Sequence, residues 1–469
     1  MIQIAYQPIE GMKKLDTNAT LVVGFKNNMR LSLDIKYGEV IKKAIGSSGF
    51  QATPGESFVI YNPPGLNISR IIVVALEDDL REVGRTIYKA IAKLPFSEVH
   101  IVIEGDAAEI GYGILDASWT FNKYKTNPPL KSYVIALHTD EDDAKFINYQ
   151  HLFKGVFLAR DLVAEPSNVL TTTEFKDRCL LLAEHGIEIE VLEQKQLEEL
   201  GMRAVLGISK GSVFPPYVIT LKYNGSSDVP IALVGKGVCF DSGGISLKKP
   251  NNMMQMCHDM SGAAAVVGTL LAAALQKLPV NVVGVIGLIE NMPAGNALKP
   301  GDIITAMSGK TIEVITTDAE GRLLLADCLY YTQQKYQPKV MIDLATLTPE
   351  TIGCLAHEYA GMYTDSDLLA NQLYQIGVES GDKVWRLPMG KSFAKQIESK
   401  YADVKNLGIE WGGENAAAAE FLRHFTNDCK AWVHLDIAGV AWNHDIETLN
   451  YQSIPGYGVK LLEGFLKSQ

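Results

Sequence analysis

The sequence lacks the features that mark several specialised classes of protein. No basic segment followed by an apolar run stands at its N-terminus, so we predict no secretory signal. Its longest apolar stretch, 262–274, is too short to span a bilayer and is rich in Ala and Gly, which favours a buried helix. No internal repeat or low-complexity tract is evident. We therefore expect a globular protein with no membrane segment.

The chain has few cysteines and histidines, and neither type is spaced as metal ligands usually are. The six cysteines form no CxxC pair, which favours reduced thiols in a cytoplasmic protein over disulfides or a thiolate zinc site. The nine histidines show no HExxH or HxH spacing, so a zinc site built from histidine is not expected. Basic residues are in deficit, and the net charge of −11 argues against nucleic acid as a partner.

The length of 469 residues exceeds what one hydrophobic core usually serves, so we predict two domains, 1–150 and 151–469. The boundary is expected near 145–155, where an acidic run, 140–143, leads into an amphipathic stretch, 146–162.

Both predicted domains alternate short apolar strands with helices, so the predicted fold class is α/β, with a mostly parallel sheet flanked by helices in each domain. In the first domain we predict strands at 21–25, 71–76, 99–103 and 133–138 and helices at 38–45, 80–93 and 107–123. In the second, apolar runs predict central strands at 231–234, 280–289, 340–344 and 433–437. Open sheets of this kind bind ligands at the C-terminal ends of their strands, where we expect the active site of the second domain.

A glycine-rich segment, 235–248 (GKGVCFDSGGISLK), follows the first of these central strands. It contains Lys236, Asp241 and Lys248, and we expect it to form a loop that passes close to a ligand. Taken alone, a flexible turn with solvated lysines explains the segment equally well.

Asp259 stands just before the long apolar stretch. Capping of the following helix is the simpler interpretation, because Asp is a favoured N-cap residue. The positive end of the helix dipole would also keep this carboxylate ionised and able to bind a metal ion.

The sharpest pattern is 316–327 (TTDAEGRLLLAD). Asp318, Glu320 and Arg322 alternate before an apolar run, and in an extended segment they would share one side. A capping cluster with a surface ion pair is the alternative.

Together with Asp241 and Asp259, the carboxylates of Asp318 and Glu320 could converge only around protons or cations. A pair of divalent ions would offset the repulsion between these carboxylates. Oxygen ligands favour Mg or Mn and are compatible with Zn.

With these residues in view, the second domain resembles the leucyl aminopeptidases, also called cytosol aminopeptidases, of the dinuclear-metal type. The segments that carry the resemblance are 234–248, 259–266 (DMSGAAAV), 290–302 (ENMPAGNALKPGD), 317–323 (TDAEGRL), 343–348 (DLATLT), 434–442 (HLDIAGVAW) and the helix at 158–168. The resemblance implies a metal-binding hydrolase, a protease that removes an N-terminal residue, apolar such as Leu, from peptides with a free N-terminus. It makes 151–469 the catalytic domain and gives 1–150 an oligomerisation or accessory role, in a cytoplasmic homohexamer.

The resemblance also implies a ligand set for two divalent ions, manganese or zinc, with magnesium as a further candidate. One ion would be held by Lys236, Asp241, Asp259 and Glu320, and the other by Asp241, Asp318 and Glu320. Lys236 can ligate only as a neutral amine, so two adjacent cations must lower its pKa strongly.

Further roles follow from the same resemblance. Lys248 would stabilise the oxyanion, and Arg322 would hold a bicarbonate ion that relays protons. Met256 would line the pocket for the N-terminal side chain, and Thr346 and Leu347 would lie along the bound peptide.

The chain departs from the family at two positions near the expected substrate cleft. Thr316 stands where Asn is usual, and Pro349 stands where Gly usually follows DLATLT. Proline has no N–H to donate, so weaker peptide binding is expected. Altered substrate preference or a regulatory binding role, which in some family members includes DNA, therefore stays an alternative, as does a two-metal phosphoesterase.

Overall fold

The computed structural model describes residues 2–8, 15, 17–26, 35–94, 98–103, 105–127, 133–408, 412–443 and 449–469. The chain divides into two compact units, Met1–Phe153 and Lys154–Gln469. Every site residue proposed from the sequence lies within the described ranges.

The first unit contains a six-stranded sheet with helices between its strands. The strands are β1 (Ile2–Gln7), β2 (Thr20–Phe25), β3 (Ser57–Tyr61), β4 (Arg70–Ala75), β5 (Glu98–Val102) and β6 (Tyr133–His138). Their order is β1-β6-β5-β2-β4-β3, and only the β3–β4 pair is antiparallel among these strands. Its helices are α1 (Ile35–Ser48), α2 (Leu80–Ile91) and α3 (Ala107–Ser118), and α4 (Ala144–Ala164) continues past Phe153 into the second unit.

Two of these helices begin where the sequence predicts, because each has an aspartate cap. The carboxylates of Asp79 and Asp106 accept hydrogen bonds from first-turn N–H groups of α2 and α3. The predicted helix 107–123 is too long, since Trp119 has extended backbone and ends α3.

The second unit contains an eight-stranded sheet. Its strands are β7 (Glu188–Leu192), β8 (Tyr217–Asn224), β9 (Ile231–Asp241), β10 (Asn281–Asn291), β13 (Val340–Ala345), β14 (Ala360–Tyr363), β15 (Val384–Arg386) and β17 (Trp432–Asp436), in the order β15-β14-β17-β13-β9-β10-β8-β7. The four central strands, β17, β13, β9 and β10, are parallel, and antiparallel pairs join the outer strands to them. A small sheet is formed by β11 (Ile303–Thr305), β12 (Thr311–Glu313) and β16 (Val404–Lys405).

Helices of the second unit pack around these sheets. They are α5 (Thr172–Leu180), α6 (Gln194–Glu199), α7 (Arg203–Ser209), α8 (Pro250–Met253), α9 (Ser261–Gln276), α10 (Glu320–Tyr336), α11 (Pro349–Leu355), α12 (Asp367–Ser380), α13 (Lys391–Ala394), α14 (Glu414–Arg423) and α15 (Val459–Lys467). The central strands and α9 are buried almost throughout, which explains their unbroken apolar sequences.

Strand β9 is longer than predicted. The expectation that 235–248 is a loop from its first residue is wrong, because β9 continues to Asp241. Pairing with β10 runs on through 235–237. A Cβ at Gly235 would lie 2.6 Å from the Cα of Ala263, so glycine here permits the close approach of α9 to the strand.

A β-bulge in β9 sets the direction of two site residues. The register with β10 shifts between Ile289 and Glu290, which leaves Cys239 as one extra residue in β9. Side chains of a regular strand alternate between faces, so Lys236 and Asp241, five positions apart, would point in opposite directions. The extra residue returns them to the same face, and the Asp241 charge acts on Lys236.

The helical stretch Met254–Gln276 has the length and apolar composition of a membrane-crossing helix, but 83% of its most apolar window is buried inside the fold. It is the core helix expected from the sequence. All six cysteines, each of which the structure describes, are free thiols.

Candidate metal centre

Three buried carboxylates converge beyond the C-terminal ends of the central strands. Asp241 ends β9, Asp259 lies two residues before α9, and Glu320 is the first residue of α10. One oxygen from each lies within 4.8 Å of the others. Within the described part of the chain, no other group of three His, Cys, Asp or Glu residues is arranged in this way. The location agrees with a site at the strand C-terminal ends.

Lys236 is the buried counter-ion of two of these acids. Its Nζ lies 2.8 Å from Asp259 Oδ1 and 2.9 Å from Glu320 Oε1, and it donates to the Thr346 carbonyl at 2.8 Å. Burial disfavours the charged amine, but the neighbouring carboxylates outweigh it and raise the pKa of Lys236. A Cβ at Gly321 would lie 2.5 Å from Lys236 Cε, so glycine there leaves the space that the lysine occupies.

A second lysine joins the remaining carboxylates. Lys248 Nζ lies 2.8 Å from Asp241 Oδ2 and 2.5 Å from Asp318 Oδ1. Although burial opposes charge, these acids and Glu320 raise the pKa of Lys248, which keeps the ammonium protonated. Asp318 is more exposed than the other predicted metal ligands and lies outside the group of three.

Burial also shifts the pKa values of the carboxylates. It raises the pKa of Asp259 to about 8 and that of Asp241 to about 6, with nearby carboxylates adding to the shift and lysines opposing it. Burial alone would raise the pKa of Glu320 as well, but the charges of Lys236 and Lys248 hold that pKa below its ordinary value. The two lysines therefore balance less charge than the four acids would carry when fully ionised.

The donor set fits divalent cations. Asp259 Oδ2 and Glu320 Oε2 are buried, and neither accepts a hydrogen bond from any described residue. Buried acceptors without donors are costly, whereas divalent cations prefer carboxylate oxygens. Divalent cations bound here would satisfy the unpartnered oxygens and also balance the excess of acids.

Asp259 does not cap the helix that follows it. No side-chain hydrogen bond caps α9 among the described residues, and Asp259 Oδ1 instead accepts from Lys236 and from Thr346 Oγ1 at 2.7 Å. His258 points elsewhere, since its Nδ1 lies 2.8 Å from the Val163 carbonyl oxygen.

The interpretation of Asp318, Glu320 and Arg322 as one side of an extended segment is wrong. Because α10 begins at Glu320, the three residues span a turn and the first turn of a helix. Arg322 Nη1 donates to the Asn406 carbonyl at 2.7 Å and to Glu414 Oε1 at 2.5 Å. It does not join the five proposed metal ligands, which we call the cage: Lys236, Asp241, Asp259, Asp318 and Glu320.

The bicarbonate ion implied by the resemblance does not fit the surroundings of Arg322. Glu414 already pairs with the guanidinium, and only 4% of the Arg322 side chain and 13% of the Glu414 side chain are exposed. A bound bicarbonate would lie beside this carboxylate, where two anions repel strongly.

Two buried amides, neither of them predicted from the sequence, hold the segments that form the cage. Asn291 Nδ2 donates to Asp241 Oδ1 and to the Thr317 carbonyl, both at 2.8 Å, and so links the end of β9 to the segment before Asp318. Asn406 Nδ2 donates to the Thr316 carbonyl at 2.7 Å. Asn291 stands in a matched segment, whereas no sequence pattern marks Asn406.

The loop after β13 is held between the cage and Asp436. Thr346 contacts the cage through its carbonyl and hydroxyl oxygens. The N–H groups of Leu347 and Thr348 donate to the Asp436 carboxylate at 3.1 and 3.2 Å, and the hydroxyls of Thr348 and Thr351 donate to it at 2.5 and 2.8 Å. Asp436, which is fully buried and was not predicted as a site residue, thus positions this loop.

Met256 and Pro349, the two other residues that the sequence places near the substrate cleft, lie in short helical segments. Met256 lies partly exposed in a 3-10 helix, Met254–His258. Pro349 is the first residue of α11, where the missing N–H is one that the helix leaves unpaired in any case. That N–H would otherwise be free to bind a peptide, so the weaker peptide binding expected from Pro349 stays a prediction.

Comparison with known proteins gives matches over both units. The family models described as "Cytosol aminopeptidase family, catalytic domain" and "Cytosol aminopeptidase family, N-terminal domain" match residues 157–463 and 23–128. A protein named "Probable cytosol aminopeptidase" from Afipia carboxidovorans is 42% identical over 454 residues, which cover 92% of this chain and 90% of that protein. One of the same name from Brucella melitensis is 40% identical over 455 residues, covering 92% and 93%. The solved structure "Bottromycin maturation enzyme BotP in complex with Mn" has a TM-score of 0.86 and 28% identity, covering 96% of this chain and 99% of that chain.

Proposed function

Because this chain belongs to the cytosol aminopeptidase family and is a metal-dependent aminopeptidase, we propose that it releases apolar N-terminal residues such as Leu by means of two metal ions. One ion would be held by Lys236, Asp241, Asp259 and Glu320, and the second by Asp241, Asp318 and Glu320. The substrates would be peptides with a free N-terminus.

The unpartnered oxygens of Asp259 and Glu320 carry this proposal. They lie in a cluster where four acids face two lysines, and bound cations would satisfy both the oxygens and the charge. When bound, two such ions acidify a water molecule and polarise the scissile carbonyl.

The side chains around the cage have distinct tasks in this scheme. Lys236 would hold a metal ion through Nζ as a neutral amine, since an amine ligand must be deprotonated. Lys248 keeps its proton and donates to the oxyanion that forms when the peptide carbonyl is attacked. The partly exposed Met256 contacts the N-terminal side chain, and the anchored loop with Thr346 and Leu347 lies along the peptide.

Manganese and zinc are the proposed metals, with magnesium as a further candidate, because the donor set is rich in carboxylate oxygen. A similar structure solved in complex with Mn supports manganese. We further propose a cytoplasmic homohexamer, in which 151–469 is catalytic and 1–150 serves assembly or an accessory role.

An altered substrate preference remains the alternative, because Thr316 and Pro349 depart from the family near the cleft. A purely regulatory role or a phosphoesterase activity has less support, since the similar proteins are named probable cytosol aminopeptidases.

The proposal predicts that metal-stripped protein is inactive and that Mn²⁺ restores hydrolysis of leucine amide. The same ion should stabilise the fold by about 2.7 kcal/mol at a hundredfold excess over its Kd, because it binds only the folded chain. Kinetic assays and thermal unfolding with Mn²⁺ or Zn²⁺ measure both effects. N-acetyl-leucine amide and p-nitrophenyl phosphate are the matched controls, and neither should be hydrolysed. Failure to hydrolyse leucine amide with either metal would refute the proposal.

A further inference from the structure

The carboxylate of Glu414 pairs with the buried guanidinium of Arg322. Arg322 Nη1 donates to Glu414 Oε1 at 2.5 Å and to the Asn406 carbonyl at 2.7 Å. Arg322 Nε and Glu414 Oε2 are both buried, and neither has a well-formed hydrogen bond to a described residue. The pair is thus made through one guanidinium N–H group and one carboxylate oxygen.

Glu414 also starts a helix that packs against elements from both parts of the proposed active site. It is the first residue of α14, where the helix dipole favours a negative charge. α14 packs against α10, which starts at the cage residue Glu320, and against α11, which starts just after the loop at Thr346. The charge of Glu350, in the first turn of α11, acts on Glu414.

We propose that Glu414 is the anion held by Arg322 in this chain, so that the reaction needs no bicarbonate ion. This inference rests on the proposed aminopeptidase function. Glu414 acts as a positioning residue, because it fixes the orientation of the Arg322 guanidinium and supplies the negative charge beside it. Burial raises the pKa of Glu414, and the charge of Arg322 opposes that rise and favours the ionised carboxylate.

Two variants separate the charge of Glu414 from its volume. Glu414→Ala opens the space beside Arg322, whereas Glu414→Gln fills it with a neutral amide. In bicarbonate-free buffer with Mn²⁺, both variants should lose about 10²-fold in kcat on leucine amide, since a small displacement of an active-site group slows an enzyme on this scale. Added bicarbonate should restore Glu414→Ala about tenfold or more and leave Glu414→Gln slow, because only the alanine variant has room for the ion.

Wild-type protein and Asn415→Ala provide the controls. Asn415 is the next residue of α14 and carries no charge, so its variant should keep wild-type kcat. Neither control should respond to bicarbonate by more than about twofold. Thermal unfolding supplies a readout that does not depend on turnover, and bicarbonate should raise the Tm of Glu414→Ala but not that of the wild type.

Stimulation of the wild type by bicarbonate would overturn the inference, as would a Glu414→Ala variant that is fast without it. A slow Glu414→Ala variant that bicarbonate neither restores nor stabilises would assign the pair a structural role only, which also overturns it. If the wild type hydrolyses no leucine amide, the proposed function fails, and the Tm comparison still decides which anion Arg322 holds.

Discussion

Glu320→Gln is expected to lower kcat/KM on leucine amide by about 10³-fold or more, equivalent to roughly 4 kcal/mol of transition-state stabilisation. Glu320 is buried, has one unpartnered oxygen, and is the proposed bridge between both metal ions. The amide has the same shape but no charge, and it can place an N–H group against Lys236, whose Nζ lies 2.9 Å from the carboxylate. Metal analysis after desalting should show fewer ions per chain than in the wild type.

The matched control is Glu358→Gln, which neutralises an exposed carboxylate of the same unit. It should retain wild-type kinetics and metal content. Full activity and full metal content in Glu320→Gln would mean that the buried carboxylates do not form the metal site.

Lys248→Met is expected to lower kcat on leucine amide by about 10²- to 10³-fold, the loss that follows removal of one donor to an oxyanion. Its ammonium group is held by Asp241 and Asp318 and keeps its proton. Methionine preserves most of the side-chain volume and removes the charge. The carboxylates stay in place, so the variant should still bind metal, and steady-state kinetics together with metal analysis test this combination.

Lys249→Met provides the comparison for this variant, since it removes the charge of the adjacent, exposed lysine. It should leave kcat unchanged. A parallel loss of metal and activity in Lys248→Met would make Lys248 a structural partner of the cage instead of a donor to the substrate.

The sequence predicts the fold class well, because local patterns determine it. Two α/β domains are confirmed, and strand β6 occupies Tyr133–His138 as predicted. The acids of the cage could also be predicted from the sequence, because carboxylates that share one site need protons or cations to offset their repulsion. This prediction needs only the residue types and not their exact positions in the fold.

The remaining features depend on contacts that no local pattern reveals. Cys239 is the bulge that aligns Lys236 with Asp241, yet nothing in the sequence of β9 marks an extra residue. Asp436 anchors a loop 88 positions earlier at Thr348, and Arg322 finds its partner 92 positions away. Such pairs are fixed by the packing of whole elements, so spacing along the chain carries no signal for them.

The most direct test of the metal cage is an anomalous diffraction measurement on crystals of the wild-type protein grown with Mn²⁺. We predict two anomalous peaks about 3.5–4 Å apart, a typical separation for two-metal sites. Both should lie against Asp241 and Glu320, with Lys236 and Asp259 beside one and Asp318 beside the other. Peaks at another location, or no peak among these five residues, would contradict the account.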